Sequence, residues 1–185
     1  MSRIQPVKVE DTTGKTKELL GAVEKSLGSV PNLFRVVANS PAALDGFLSF
    51  SRALKASKLT AKQREQLALV VANDNGCNYC ISAHSVLGKL VGLTEEQLEK
   101  SAEGRSEDEK TQALLQLARA LVRSKGEVSQ AEYQQAVEAG ITEAEAIEVV
   151  AVVAENIFTN YINNFAQTAI DFPLPKALQK PSCQQ

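Results

Sequence analysis

The amino-acid sequence predicts an all-α fold of about eight to ten helices joined by short loops. Three observations predict it: recurring helix-start motifs, apolar residues at helical spacing, and glycines between the segments. No segment shows the convincing alternation of apolar and polar residues that a half-buried strand would have. The β-branched stretch at 147–153 lies inside a capped segment of helical length, so we expect it to be helical too.

The recurring helix-start motif is the capping box, in which a Ser or Thr is followed three positions later by Glu or Gln. The two side chains satisfy backbone N–H groups that otherwise lack a partner in the first helical turn. The pairs in this chain are Thr60/Gln63, Thr94/Gln97, Ser106/Glu109, Ser129/Glu132 and Thr142/Glu145. Each predicts a helix that starts directly after its Ser or Thr.

The other helix boundaries depend on proline and glycine. Pro31 and Pro41 each stand where a helix can begin, because the first turn does not need the N–H that proline lacks. The later helical segments are separated by Gly92, Gly104, Gly126 and Gly140. Residues 59–79 also align without gaps with residues 141–161, a faint internal helical repeat that chance similarity could also produce.

Length and composition favour a single domain over residues 1–185, with its core at about 31–173 and a tail at 174–185. Apolar residues make up 44% of the chain, which is a globular level. The formal net charge of −2 gives no attraction to nucleic acid, and no apolar run approaches the ~20 residues of a membrane span. The first residues lack the apolar core of a signal peptide, so we expect a cytoplasmic protein.

The chain contains three cysteines and a single histidine. An odd number of cysteines argues against a secreted disulfide framework. Cys77 and Cys80 form a CxxC motif, and His84 follows the motif by four residues. Cys183 lies in a polar tail, and we interpret it as an incidental thiol.

The CxxC motif falls at the predicted start of a helix. Thr60 begins one helix, which should end near Asp74, and Asn75-Gly76 is a turn signal after it. A second helix would then start near Cys77 and end near Leu90. We therefore expect a helix–turn–helix unit with the dithiol at the start of its second helix.

On that second helix, Cys77, Cys80 and His84 share one side, because at ~100° per residue they fall within roughly 60°. Cys77 would lie in the first turn, where the helix dipole favours a thiolate. His84 lies one turn after Cys80, so its imidazole could accept the proton of that thiol. These parts predict a reactive dithiol.

Glu65 is the fourth candidate site residue. It lies early in the preceding helix, on a stripe with Leu69 and Ala72 that should face the core. A carboxylate there needs a partner, and His84 is available. A Glu65–His84 relay would orient the imidazole and shuttle a proton to or from a cysteine. The alternative is a solvated first-turn carboxylate.

A CxxC motif can also be half of a metal site. A zinc ion could use Cys77, Cys80 and His84, although it would need four ligands and only Glu65 could supply the fourth. We therefore predict that no metal is bound. Tyr79, inside the motif, should point away from the cysteines, so we interpret it as a packing residue.

A polar cluster lies in the last long predicted helix. It consists of Asn156, Asn160, Asn163 and Asn164, with aromatic residues between. We interpret the cluster as one face of an ordinary amphipathic helix. The alternative is a polar lining for the active site or for a subunit interface.

A dithiol of this kind can reduce a peroxide. A thiolate attacks the O–O bond and becomes a sulfenic acid, and the second thiol condenses with it to give a disulfide and water. An external dithiol then restores the pair by exchange.

At these residues the sequence resembles the AhpD-like alkylhydroperoxidases of the carboxymuconolactone decarboxylase family, in the peroxidase-related branch. The resemblance rests on Glu65, Cys77, Cys80 and His84 at their spacing and spans about residues 31–173. It implies an AhpD-like all-α fold, a homotrimer or homohexamer, and hydroperoxide reduction without haem, flavin or metal. The electron donor implied is an external dithiol, such as dihydrolipoamide on a lipoylated protein.

The resemblance also implies roles for the cysteines. Cys80 would attack the peroxide, activated through His84 and Glu65, while Cys77, nearer the surface, would resolve the intermediate. The helix-dipole argument instead makes Cys77 the more acidic thiol, so the assignment stays open. The best-known alkylhydroperoxidase has a histidine where this chain has Tyr79.

Two other functions use the same residues differently. The first is a thiol–disulfide oxidoreductase or redox sensor with little peroxidase activity. The second is a non-catalytic oligomeric binding protein whose dithiol is incidental. The intact set of Glu65, Cys77, Cys80 and His84 favours redox chemistry over binding alone.

Overall fold

The computed structural model describes residues 2–175, and over these residues it is all-α with nine α-helices. The helices are α1 (Gly14–Leu27), α2 (Asn32–Val37), α3 (Pro41–Leu54), α4 (Ala61–Asp74), α5 (Asn78–Leu90), α6 (Glu95–Ala102), α7 (Glu109–Ser124), α8 (Gln130–Glu138) and α9 (Glu143–Ala166). A short 3-10 turn at Val9–Asp11 precedes them. The predicted fold class is confirmed, and Cys183 lies outside the described residues.

Most of the helix starts follow the predicted capping boxes. Thr60, Thr94, Ser129 and Thr142 cap α4, α6, α8 and α9, and each pairs reciprocally with the Glu or Gln three residues on. Pro41 is the first residue of α3, and Pro31 directly precedes α2. These boundaries are therefore set by local side-chain chemistry.

The predicted capping box at Ser106 and Glu109 is wrong. Helix α7 begins at Glu109, and its cap is Asp108, whose carboxylate accepts a hydrogen bond from the backbone N–H of Thr111 at 2.8 Å. The Ser106 hydroxyl instead accepts from the backbone N–H of Asp108 at 3.2 Å. Asp is as good a cap as Ser, so the residue nearer the apolar stretch takes that position.

Helix α4 lies at the centre of the fold and packs against α5, α6, α7 and α9. Its residues 66–72 are all buried, as expected for a helix that is surrounded by other helices. Leu69 and Ala72 belong to an apolar cluster that also contains the dithiol, whereas Leu67 and Val70 belong to a second cluster with α7 and α9. Glu65 directly precedes this buried stretch.

The internal repeat holds only for its first half. Helices α4 and α9 both start at a Thr capping box, but α9 runs unbroken for 24 residues, whereas the first copy breaks at Asn75-Gly76. Gly76 adopts a left-handed φ of 62°, and the aligned position in α9 is Phe158, which continues the helix. Among residues 2–175, no helix has the length and apolar character needed to cross a membrane.

Candidate active site

The turn between α4 and α5 places the first cysteine at the start of α5. The backbone N–H of Cys77 donates to the carbonyl of Ala72 at 2.9 Å, so the chain reverses immediately after α4. Cys77 is the residue that caps α5, and its Sγ accepts a hydrogen bond from the backbone N–H of Cys80 at 3.2 Å. The predicted helix–turn–helix unit is confirmed to within a residue at each boundary.

Cys77 and Cys80 are joined as a disulfide, with their Cα atoms 5.3 Å apart. This separation lies within the range that disulfides need. Both residues are buried, Cys77 at 0% exposure and Cys80 at 3%. The expectation that Cys77 lies nearer the surface is therefore wrong, because the turn after α4 packs it into the apolar cluster.

Helices α4 and α5 bring Glu65 and His84 together. The Glu65 carboxylate accepts a hydrogen bond from Nδ1 of His84 at 2.8 Å, and the two side chains are 20% and 21% exposed. The alternative of a solvated, unpaired Glu65 does not hold. The contact fixes the imidazole ring on the α5 side that also carries Cys80, one turn earlier.

The surroundings of His84 raise its pKa above the ordinary value. Burial of the ring opposes this by lowering the pKa, but the charge and hydrogen bond of Glu65 outweigh it, and the charge of Glu155 adds to the rise. A protonated imidazole beside the dithiol favours a thiolate over a neutral thiol. The site can therefore hold a proton on His84, one turn after Cys80 on α5.

Tyr79 is a packing residue, as predicted. Its hydroxyl accepts a hydrogen bond from the backbone N–H of Leu33 at 3.0 Å, and its ring meets Phe172 edge-on. Burial is the main reason that the pKa of Tyr79 is raised, so the phenol stays neutral. The hydrogen bond with Leu33 ties α5 to the start of α2.

The interpretation of the α9 asparagines as an ordinary amphipathic face is wrong. Asn156, Asn160 and Asn163 are all buried, and Nδ2 of Asn163 donates to Sγ of Cys80 at 3.3 Å. Asn75, in the turn before Cys77, donates through Nδ2 to Oδ1 of Asn160 at 2.9 Å. The sequence signal was the spacing 156, 160 and 163, which places three amides on one side of a helix.

The site offers little to a metal ion. Within residues 2–175, no group of three or more His, Cys, Asp or Glu side chains is arranged to hold one. Both sulfurs of the CxxC are bonded to each other, and Nδ1 of His84 is bonded to Glu65. The two sulfurs that a zinc ion would need as thiolates are thus engaged with each other in the disulfide.

Two cavities lie away from the sulfurs. One of about 440 Å³ is lined mostly by polar and charged residues and lies at the starts of α4, α6 and α7. A second of about 240 Å³ is mainly apolar and lies between α5, α6 and residues 173–175. Neither is lined by Glu65, Cys77, Cys80 or His84. Solvent reaches the site where His84 and Glu65 are partly exposed.

The fold is similar to that of several solved structures. One is an alkylhydroperoxidase AhpD core protein from Ralstonia eutropha JMP134, described as an uncharacterized peroxidase-related protein, with TM-score 0.83, 22% identity and 92% of each chain covered. An uncharacterized peroxidase-related protein from Silicibacter sp. TM1040 gives TM-score 0.78 at 21% identity over 88% of each chain. The debrominase Bmp8 gives 0.77 at 21% identity over 91% of each chain.

The sequence itself carries a family match. Among curated proteins, none matches it significantly. Residues 41–122, which run from α3 into α7, match the model of the carboxymuconolactone decarboxylase family. This segment contains Glu65, Cys77, Cys80 and His84. Residues 41–122 are therefore similar to the carboxymuconolactone decarboxylase family, and the chain has the AhpD-like fold.

Proposed function

We propose that this protein is a thiol-dependent peroxidase that reduces hydrogen peroxide or organic hydroperoxides through Cys77 and Cys80. One arrangement supports this most strongly: a disulfide-forming pair at a helix start, followed one turn later by a histidine whose Nδ1 is 2.8 Å from Glu65. The family match and the peroxidase-related structural neighbours point to the same kind of chemistry.

The proposed reaction has three steps. The Cys80 thiolate attacks one oxygen of the O–O bond, becomes a sulfenic acid, and releases an alcohol or water that takes a proton from His84. The Cys77 thiol then attacks the sulfenic sulfur, which forms the disulfide and releases water. An external dithiol reduces the disulfide and is itself oxidised.

Three features favour Cys80 as the attacking sulfur. It lies one turn before His84, its Sγ accepts from Asn163, and its residue is the less buried of the two. Cys77 has the stronger link to the helix start, because it accepts the backbone N–H of Cys80. We assign the attack to Cys80 because proton transfer needs His84 nearby, and the resolving role to Cys77.

The electron donor we propose is a dithiol such as dihydrolipoamide, carried by a lipoylated protein or free. A dithiol suits the reaction because exchange with Cys77–Cys80 can go to completion within one donor molecule. Such donors stay reduced in the cytoplasm, where we place the protein. We propose no haem, flavin or metal.

Hydroperoxide consumption under turnover tests this function. With excess dithiol, we expect turnover in the wild type, none in Cys80→Ser, and a steep fall in His84→Ala. Cys183→Ser serves as the matched cysteine control and should keep full activity. Consumption by the wild type no faster than by the dithiol alone would reject the peroxidase.

Two other substrates are tested in the same assay. Fast reduction of a protein or small-molecule disulfide, without peroxide turnover, would indicate a thiol–disulfide oxidoreductase or redox sensor. The likeness to Bmp8, a variant of which was solved with 2,3,4-tribromopyrrole, suggests a brominated pyrrole as the other substrate. In that reaction the dithiol would become a disulfide while the C–Br bond is converted to C–H and bromide is released.

We also propose that the protein is a homo-oligomer, a trimer or a hexamer, that uses one face of α9. Four residues on this helix are exposed although they are apolar: Ile147, Val150, Tyr161 and Phe165. At ~100° per residue they fall within about 60° of one another, and they span about 27 Å of the helix. We call them the α9 stripe. Such a narrow apolar stripe is typical of helix–helix association.

A further inference from the structure

The side chain of Asn163 has an unusual set of partners. It is buried, at 3% exposure, on the side of α9 that faces α5. Its Nδ2 donates to Sγ of Cys80 at 3.3 Å, while its Oδ1 is buried and finds no hydrogen-bond partner within residues 2–175. The contact with sulfur is thus the one hydrogen bond that its amide makes there.

A buried amide with an unsatisfied oxygen is costly, so its retention needs a reason. A disulfide sulfur is a weak acceptor, and a thiolate is a strong one because it carries a full charge. The contact from Asn163 therefore strengthens when the disulfide is reduced and Cys80 ionises. It favours one redox and protonation state of the site over the others.

Neighbouring amides hold Asn163 in place. Asn75 donates to Oδ1 of Asn160 at 2.9 Å, and Nδ2 of Asn164 donates to the backbone carbonyl of Asn75 at 2.9 Å. Both contacts join α9 to the turn directly before Cys77. The amide of Asn163 is therefore fixed relative to the start of α5, where the dithiol lies.

We propose that Asn163 is a positioning residue that stabilises Cys80 as a thiolate and so selects it, over Cys77, as the attacking sulfur. The selection rests on the proposed peroxidase function, whereas the stabilisation of the thiolate does not. The donor is a neutral amide that keeps the same charge across the working pH range. It therefore stabilises the thiolate at every pH, whereas His84 does so while its ring is protonated.

The test measures the pKa of Cys80 directly. In a Cys77→Ser, Cys183→Ser background, Cys80 is the one cysteine left, and Ser at 77 keeps a side-chain oxygen to cap α5. We expect Asn163→Leu to raise the pKa by about one to two units, because a hydrogen bond to a charged group is lost. Asn163→Asp should raise it at least as much, because its carboxylate also repels the thiolate. Ultraviolet absorbance of the thiolate follows the titration.

Asn156→Leu is the matched control, because Asn156 is buried on the same side of α9 but donates to the carbonyl of Val152 within its own helix. We expect no change in the pKa of Cys80 there. In the otherwise wild-type chain, Asn163→Leu should lower turnover about tenfold or more at neutral pH and recover as the pH rises past the raised pKa.

A pKa that stays the same in both Asn163 variants would overturn the inference, whatever the peroxidase assay shows. If the pKa of Cys80 rises in the Asn163 variants but the wild-type protein does not turn over peroxide, the peroxidase is rejected and the thiolate role is kept. A loss of turnover that alkaline pH does not restore would also contradict the inference, since it would indicate a structural role.

Discussion

The pairing of Glu65 with His84 controls where the proton lies in the site. Since Glu65 raises the pKa of His84, removal of its charge should lower that pKa. We predict that Glu65→Gln lowers the pKa of His84 and slows peroxide turnover most at neutral pH. The chain has one histidine, so NMR titration of its ring protons reads this value without assignment. A pKa equal to that of the wild type would contradict the pairing.

The same contact links stability to pH. A raised folded-state pKa means that the protonated His84 contributes stability below its unfolded-state pKa of about 6.5. This contribution is lost as the pH rises through the folded-state value. The loss in unfolding free energy caused by Glu65→Gln should therefore be larger at pH 6 than at pH 9. A difference of the opposite sign would show that His84 is held neutral.

Burial of the sulfurs predicts which peroxides react. Cys80 is 3% exposed, and neither of the two cavities is lined by a site residue. We predict that hydrogen peroxide and small alkyl hydroperoxides are reduced faster than bulky aromatic ones. Comparison of kcat/KM across hydroperoxides of increasing size checks this. As a control, the rate at which each hydroperoxide reacts with free dithiol shows that their intrinsic reactivities are alike. Faster reduction of the bulky substrates would indicate a channel that opens to the sulfur.

Helix starts can be tested one residue at a time. The sequence offered Ser106 as the cap of α7, whereas the structure gives that role to Asp108. We predict that Asp108→Ala lowers the unfolding free energy by about 1 kcal/mol and that Ser106→Ala lowers it less. Urea denaturation with circular dichroism measures both. An equal or larger loss of unfolding free energy in Ser106→Ala would instead support Ser106 as the cap of α7.

Helix α9 shows where sequence reasoning fails. The cap at Thr142 and the helical length were predictable, because both depend on local chemistry. Which side of α9 faces inward was not, since buried asparagines and exposed aromatics reverse the usual rule for an amphipathic helix. The reversal follows from tertiary contacts, in which Asn160 meets Asn75 and Asn163 meets Cys80. The sequence alone therefore does not identify Asn163 as a site residue.

The arrangement of the candidate site residues was largely predictable, for a related reason. Cys77, Cys80 and His84 are neighbours on one helix, so their spacing fixes their geometry. Glu65 could be added because a carboxylate on a core-facing stripe requires a partner. The relative burial of the two cysteines could not be predicted, because it depends on how the turn at Gly76 packs against α4.

At the scale of the whole molecule, the α9 stripe stays largely exposed in a single chain, although Arg3 lies over the ring of Phe165. We predict that Tyr161→Glu, with or without Phe165→Glu, dissociates the oligomer, because a charge on an apolar interface loses its hydration. Light scattering after gel filtration gives the mass. Leu90→Glu is the matched control, since Leu90 is equally apolar and 78% exposed but lies on α5. An unchanged mass in both Tyr161→Glu and the double variant would place the interface elsewhere.

The central position of α4 connects the site to the rest of the fold. It carries Glu65 at one end and leads into the turn before Cys77 at the other, while its buried middle packs in both apolar clusters. The site therefore lies on rigid elements and needs no rearrangement to bring its residues together.

A single-turnover experiment tests the peroxidase proposal most directly. The fully reduced protein is mixed without oxygen with one equivalent of hydroperoxide, and both products are measured. We predict one equivalent of alcohol and a Cys77–Cys80 disulfide, seen by peptide mass spectrometry, while Cys80→Ser leaves the peroxide intact. Peroxide that persists beside a fully reduced wild-type protein, or a disulfide formed without stoichiometric alcohol, would contradict the proposal.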